Sequence, residues 1–170
     1  NEHQAKRANK PRQKAYKIHF SSKKVHTDLI KLGCIPKKSL ILTFPTKEQV
    51  PPYLIHHFIR GFYDGDGSIY ISNKGINSSF TSTREFLEKM QRILIKEACL
   101  TLTKLTNKKV NTNTYSFSIS GFYALKRVYT YLYKDCDDLY LTRKKEKIDQ
   151  FIPQRKERKT SEEYKIKLKS

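Results

Sequence analysis

The apolar pattern of this chain predicts an α+β fold with elements in the order αββαββα. In it, a four-stranded antiparallel sheet carries helices on one face and leaves a polar face open. Three observations predict it. A helical seam breaks off at Asp64-Gly65-Asp66-Gly67 and turns at once into an alternating strand. Alternating runs come in pairs, and each pair is followed by a helical run. Each strand also has one apolar row and one row of Ser, Thr, Tyr, Asn or Lys, as antiparallel strands do when one face is buried.

Pro51 and Pro52 suit the first turn of a helix, where a missing N–H costs nothing. Leu54, Ile55, Phe58, Ile59 and Phe62 then share one face of a 3.6-residue period. Gly61 interrupts that face, weakening the helix but letting another backbone come close. Gly65 and Gly67 end the helix. Ser68–Ser72 alternates, with Ile69 and Ile71 on one side and Ser68, Tyr70 and Ser72 on the other, and Asn73-Lys74-Gly75 makes a hairpin turn into a strand at Ile76–Thr81. Ser82 and Glu85 form a capping box for a helix bearing Phe86, Leu87, Met90, Ile93 and Leu94 on one face. Leu100, Leu102 and Leu105 are expected to make a third strand around Thr101, Thr103 and Lys104, followed by a polar turn over Asn107–Asn113. Tyr115, Phe117 and Ile119 alternate with Ser116 and Ser118 in a fourth strand, and helices near Phe122–Lys134 and Leu141–Phe151 close the unit.

With 35 Lys+Arg against 16 Asp+Glu, the formal charge is +19, the electrostatic footprint of a polyanion-binding protein. There is no basic amphipathic helix of the membrane-surface kind, and no apolar run approaches the ~18 residues of a membrane span. Cys34, Cys99 and Cys136 are widely spaced and outside any C-x-x-C, so reduced core thiols in a cytoplasmic protein are expected, with nucleoid or organelle left open. The absence of an initiator Met fits a trimmed chain. The polar rows of the sheet, Ser68, Tyr70, Ser72, Asn77, Ser79, Thr81, Thr101, Thr103, Lys104, Ser116 and Ser118, suit a groove of duplex DNA. Lys108, Lys109, Arg143 and Lys145 lie near enough in sequence for phosphates. A merely solvated sheet face is the alternative.

Asp64 and Asp66 sit where the helix dipole disfavours negative charge, which suits a site whose missing partner is a cation. A structural turn is the alternative for Asp-Gly-Asp-Gly. A calcium loop starting at Asp64 fails, because Ile69 stands where glycine is needed and Gly75 where the bidentate Glu belongs. His56 and His57 are expected at a surface or interface.

The run Ile59-Arg60-Gly61-Phe62-Tyr63-Asp64-Gly65-Asp66-Gly67 resembles the LAGLIDADG signature of homing endonucleases, and the αββαββα order is that family's core. Arg60 and Gly65 replace the two alanines of the signature. The resemblance implies a homing-endonuclease-like fold in which two such helices pack together through Gly61, Phe62 and Gly65. It implies site-specific hydrolysis of phosphodiesters in double-stranded DNA, with Mg²⁺ or another divalent cation held by Asp66. Asp64 is then a second metal-side candidate or a helix-end residue. It further implies a basic residue near the cleavage centre of each half, matched by Lys144, flanked by Arg143 and Lys145, and by Lys38 or Lys37. Each of these also fits as a solvated lysine.

A partial second copy lies upstream. Tyr-Lys-Ile-His-Phe-Ser-Ser from Tyr16, a Val25/Leu29/Ile30/Leu32 helix ending at Gly33, and Ile35 before a Lys pair parallel Tyr115–Ile148. The expected division is therefore a first-repeat remnant (1–42), a linker (43–50), a complete LAGLIDADG-type repeat (51–152) and a basic tail (153–170). One motif supplies half of a paired site, so the expected partner is an upstream repeat in the same chain or a second copy in a homodimer. The competing function is a non-catalytic nucleic-acid binder of the same fold, a DNA-binding regulator or an RNA-splicing maturase.

Overall fold

The computed structural model describes residues 19, 21–36, 38–72, 75–108, 110 and 112–151. The strand expected from Tyr16, the Asn73-Lys74 turn, Lys37, Lys109 and the 153–170 tail lie outside the described residues, as does the side chain of Lys38. Among the described residues the elements run α1 (Lys23–Lys31), α2 (Ile55–Asp66), β1 (Ser68–Ser72), β2 (Gly75–Ser82), α3 (Arg84–Ala98), β3 (Thr106–Asn107), β4 (Tyr115–Ser120), α4 (Phe122–Tyr133) and α5 (Thr142–Phe151). From α2 onward this is the αββαββα order with one added helix, an α+β fold. Short 3-10 turns occupy Lys38–Leu40 and Pro52–Leu54.

The sheet order is β1-β2-β4-β3, antiparallel throughout. Its register pairs Ser68 with Ser79, Tyr70 with Asn77, Ser79 with Ser118 and Thr81 with Ser116. Because side chains alternate with a period of two, this gathers the polar rows of three strands on one face. The other face offers Ile76, Phe80, Phe117 and Ile119, all buried. Phe80 stacks on Phe117 with ring centroids 5.1 Å apart. Phe86 of α3 meets Phe44, Phe58 and Phe62, so Phe44 anchors the segment 43–50 in the core.

Several expectations shift. The cap of α3 is Thr83, whose Oγ1 accepts from Phe86 N and donates to Leu42 O. Ser82 ends β2 and is buried, so its hydroxyl does not cap the helix. Leu100–Leu105 is not a strand: the Gln91 amide donates to both the carbonyl and the hydroxyl of Thr103, Leu102 stays 71% exposed, and pairing with β4 begins only at Thr106. Thr101, Thr103 and Lys104 therefore do not extend the polar sheet face. The cysteines are not core thiols: Cys34 and Cys99 are exposed and Cys136 half-buried. The buried stripe of α2 centres on His56, Ile59, Arg60 and Tyr63, one step round from the expected face, because His56 and Arg60 are themselves buried. His56 is thus no surface residue, and His57 is half-buried.

Candidate functional site

The end of α2 is held by an exchange of charges with α5. Lys144, only 3% exposed, donates from Nζ to the carbonyls of Tyr63 and Gly67 at 2.5 Å each and lies 5.0 Å over the Tyr63 ring. It thereby caps the last turn of α2 with a cation, where the dipole favours one. Asp64 returns the exchange: its carboxylate accepts from Leu141 N at 3.0 Å, immediately before α5, and from the Tyr133 hydroxyl at 2.6 Å. A carboxylate at a helix N-terminus is favourable. The cost expected of Asp64 at the end of α2 is therefore offset by α5, without any metal. Burial, then the neighbouring Arg143, lowers the pKa of Lys144, while Asp64 and Asp66 raise it. Burial and the bond to Asp64 push the Tyr133 hydroxyl well above its ordinary value.

Gly67 makes this junction possible. A Cβ there would lie 2.2 Å from the Tyr63 ring and 2.6 Å from the Tyr63 carbonyl, so only glycine lets the chain leave the helix beside that ring.

Asp66 differs from Asp64. It is exposed, accepts no hydrogen bond from a described residue, and stands two residues before Ser68, where the polar sheet face begins. Among the described residues no group of three or more His, Cys, Asp or Glu could hold a metal ion. The donor set fits a divalent cation only as one half of a shared site.

On the polar face, Tyr70 is 69% exposed and Ser118 is also exposed. Ser68 Oγ and Ser79 Oγ are 2.7 Å apart, the Ser72 hydroxyl donates to Gly75 O, and Asn77 donates to Ser120 Oγ at 2.6 Å. Thr81 is half-buried. Ser116 shares this face but is only 4% exposed between Thr81 and Thr106, so its expected DNA contact does not hold. Lys108 and Arg143 are exposed. Lys145 is occupied by Asp149 at 2.7 Å and lies 5.2 Å from the Tyr140 ring.

Gly61 and Gly65 form a smooth exposed strip, where an added Cβ at either would meet nothing within 4 Å. Phe62 faces inward instead, 4.7 Å from Phe86, and does not belong to that strip. Sequence reasoning also missed the role of Arg60, which replaces a small residue of the signature. It is buried and donates to Leu139 O, Leu132 O and His57 Nδ1, tying α2 to the end of α4. An arginine inside an apolar seam was the available signal.

An α+β domain with a polar sheet face and a carboxylate-ended helix defines a class of architecture, and sequence comparison places it. Residues 54–133 match the family model of the LAGLIDADG-like domain, and this stretch is a LAGLIDADG-like domain. No curated protein matches the chain. Two solved structures are similar. One is a homing endonuclease, I-TnaI, at 16% identity and TM-score 0.39 over 56% of this chain and 67% of that one. The other is the archaeal intron-encoded homing endonuclease I-Vdi141I complexed with DNA, at 19% identity and TM-score 0.35 over 53% and 60%. The chain thus spans about two thirds or less of those proteins' length. No helix among the described residues is long and apolar enough to cross a membrane.

Proposed function

We propose that this chain is a homing-type DNA endonuclease, hydrolysing phosphodiesters in duplex DNA, with Asp66 as its metal-binding acid. The observation that carries the reading is the division between the two aspartates. Asp64 is consumed by α4 and α5, whereas Asp66 is free, exposed and next to a polar sheet face on a protein of formal charge +19. The LAGLIDADG-like domain at residues 54–133 supports it.

In this reading the sheet lies in a groove of the duplex. Tyr70, Asn77, Ser79 and Ser118 reach base edges and Lys108 and Arg143 meet phosphates, which positions the backbone without reading sequence. A divalent ion shared by Asp66 and a matching acid would supply charge neutralisation and a more acidic water at the scissile phosphate. The matching acid would come from an upstream repeat or a second copy, packed helix to helix against the exposed Gly61 and Gly65. Lys144 acts by position. It holds the α2 carbonyls, and therefore Asp66, in place, and keeps positive charge beside the developing negative charge. The role of Lys38 in the first half follows only from the sequence parallel.

The test is cleavage of duplex DNA carrying the target site, with and without Mg²⁺. Asp66→Asn is expected to abolish cleavage while leaving duplex binding and folding unchanged; a variant that cuts normally would remove Asp66 from the metal site. A second reading is a nucleic-acid binder without catalysis, which the polar sheet face and the formal charge of +19 serve equally well. Mg²⁺-independent binding with no cleavage by either the monomer or an assembled pair would decide for it.

A further inference from the structure

The opposite end of α2 carries a second feature that the nuclease reading does not use. A cleft of about 460 Å³ opens there between the 44–50 segment, the start of α2, the end of α3 and the end of α4. That volume lies in the ~300–1,000 Å³ range of small-molecule sites. Phe44, Pro45, Pro52 and Tyr131 give it flat, apolar walls. Lys47, Arg92, Lys96 and Lys134 surround it against one acid, Glu97, which pairs with Lys96 at 3.2 Å. Lys134 also lies 5.1 Å over the Tyr131 ring.

His56 belongs to this cleft. It is 95% buried by its 5% exposure, and its Nε2 has no hydrogen-bond partner among the described residues. A buried polar atom without a partner is uncommon and costly, and this one lies in a residue lining the cleft. Burial, then His57, Lys134 and Arg60, keep its pKa below the ordinary value, leaving a neutral ring that can donate or accept.

We propose that this cleft binds a nucleoside monophosphate, its planar base between the aromatic and proline walls and its phosphate among Arg92, Lys134 and Lys47. A bare phosphate would leave the apolar walls in water, and an uncharged ring would leave the cations unmatched; a nucleotide satisfies both. The site is independent of the DNA-facing end. His56 precedes Asp66 by ten residues, ~15 Å along a helix, and lies ~140° around it from Gly61. A helix packed on Gly61 and Gly65 therefore leaves the cleft open.

The experiment is calorimetric titration of the full chain with AMP at about 0.3 M salt, where weak attraction to the general basic surface is screened. Adenosine and inorganic phosphate are titrated in parallel. Saturable binding at one site per chain is expected, with both fragments weaker by about tenfold or more. NMR should show the His56 ring resonances moving with AMP occupancy. The exposed double variant Arg92→Glu/Lys134→Glu should weaken AMP by about tenfold or more, while Asp66→Asn binds it unchanged. The proposal is overturned if AMP does not saturate, if inorganic phosphate binds as tightly as AMP, or if the double variant binds like the parent.

Discussion

Helices α1 and α4 follow one sequence pattern and bury very different amounts of surface. Each comes after an alternating run closed by Ser or Gly and precedes an apolar residue and a Lys pair. Yet α4 buries Phe122, Leu125, Val128, Tyr131, Leu132 and Tyr133, whereas α1 buries no residue and leaves Val25, Leu29, Ile30 and Leu32 exposed. What makes α1 a helix is local: the Ser22 cap on Val25 N and the Lys24–Asp28 pair at 2.7 Å. What buries α4 is a sheet and two further helices. Local signals decide that a helix forms; only a partner surface decides what it is worth.

The largest test of this contrast uses core truncation. Phe86→Ala should cost about 3–5 kcal/mol in urea unfolding, from lost burial and the cavity left behind. Leu29→Ala should stay within about 0.5 kcal/mol, as for an uncommitted surface position. An equal loss at both positions would mean that α1 is packed in the isolated chain.

A second test compares charges. The exposed Lys24–Asp28 pair should contribute about 0.3–0.5 kcal/mol. Asp64→Asn, which weakens charged hydrogen bonds to Tyr133 and Leu141, should cost about 1.5–3 kcal/mol. A double-mutant cycle with Lys144→Met should show coupling of about 0.5–3 kcal/mol, since each residue fixes the helix that bears the other. Additivity would refute the exchange.

The smallest effect is a pH dependence. The folded His56 resists protonation, while the unfolded chain takes up a proton near the ordinary 6.5. Its contribution is therefore complete above that pH and declines as pH falls below it. His56→Leu should flatten the fall in melting temperature between pH 7 and 5; an unchanged slope would place the cause elsewhere.

The sequence alone carried α1, α2, β1, β2, α3, β4, α4 and α5, because their apolar residues keep periods of 3.6 or 2. It misplaced β3, because Leu100, Leu102 and Leu105 imitate a strand while a glutamine amide from another helix holds the backbone at Thr103. The two acids were legible as a pair, but their division of labour was not. Tyr133 and Leu141 lie 69 and 77 residues beyond Asp64, and no local period records such a contact. The role of Arg60 was hidden for the same reason: its acceptors, Leu132 and Leu139, are equally remote.

The reciprocal capping of α2 and α5 also bears on how such a protein can change over generations. The junction rests on the hydrogen bonds of Asp64 and Lys144, whereas Asp66 accepts no hydrogen bond from a described residue. In the proposed reading, a single codon change at Asp66 would therefore silence cutting and leave an intact, highly basic fold. Loss at Asp64 would instead weaken the scaffold itself, through the bonds to Tyr133 and Leu141. On that reading a folded, non-cleaving descendant is one mutation away.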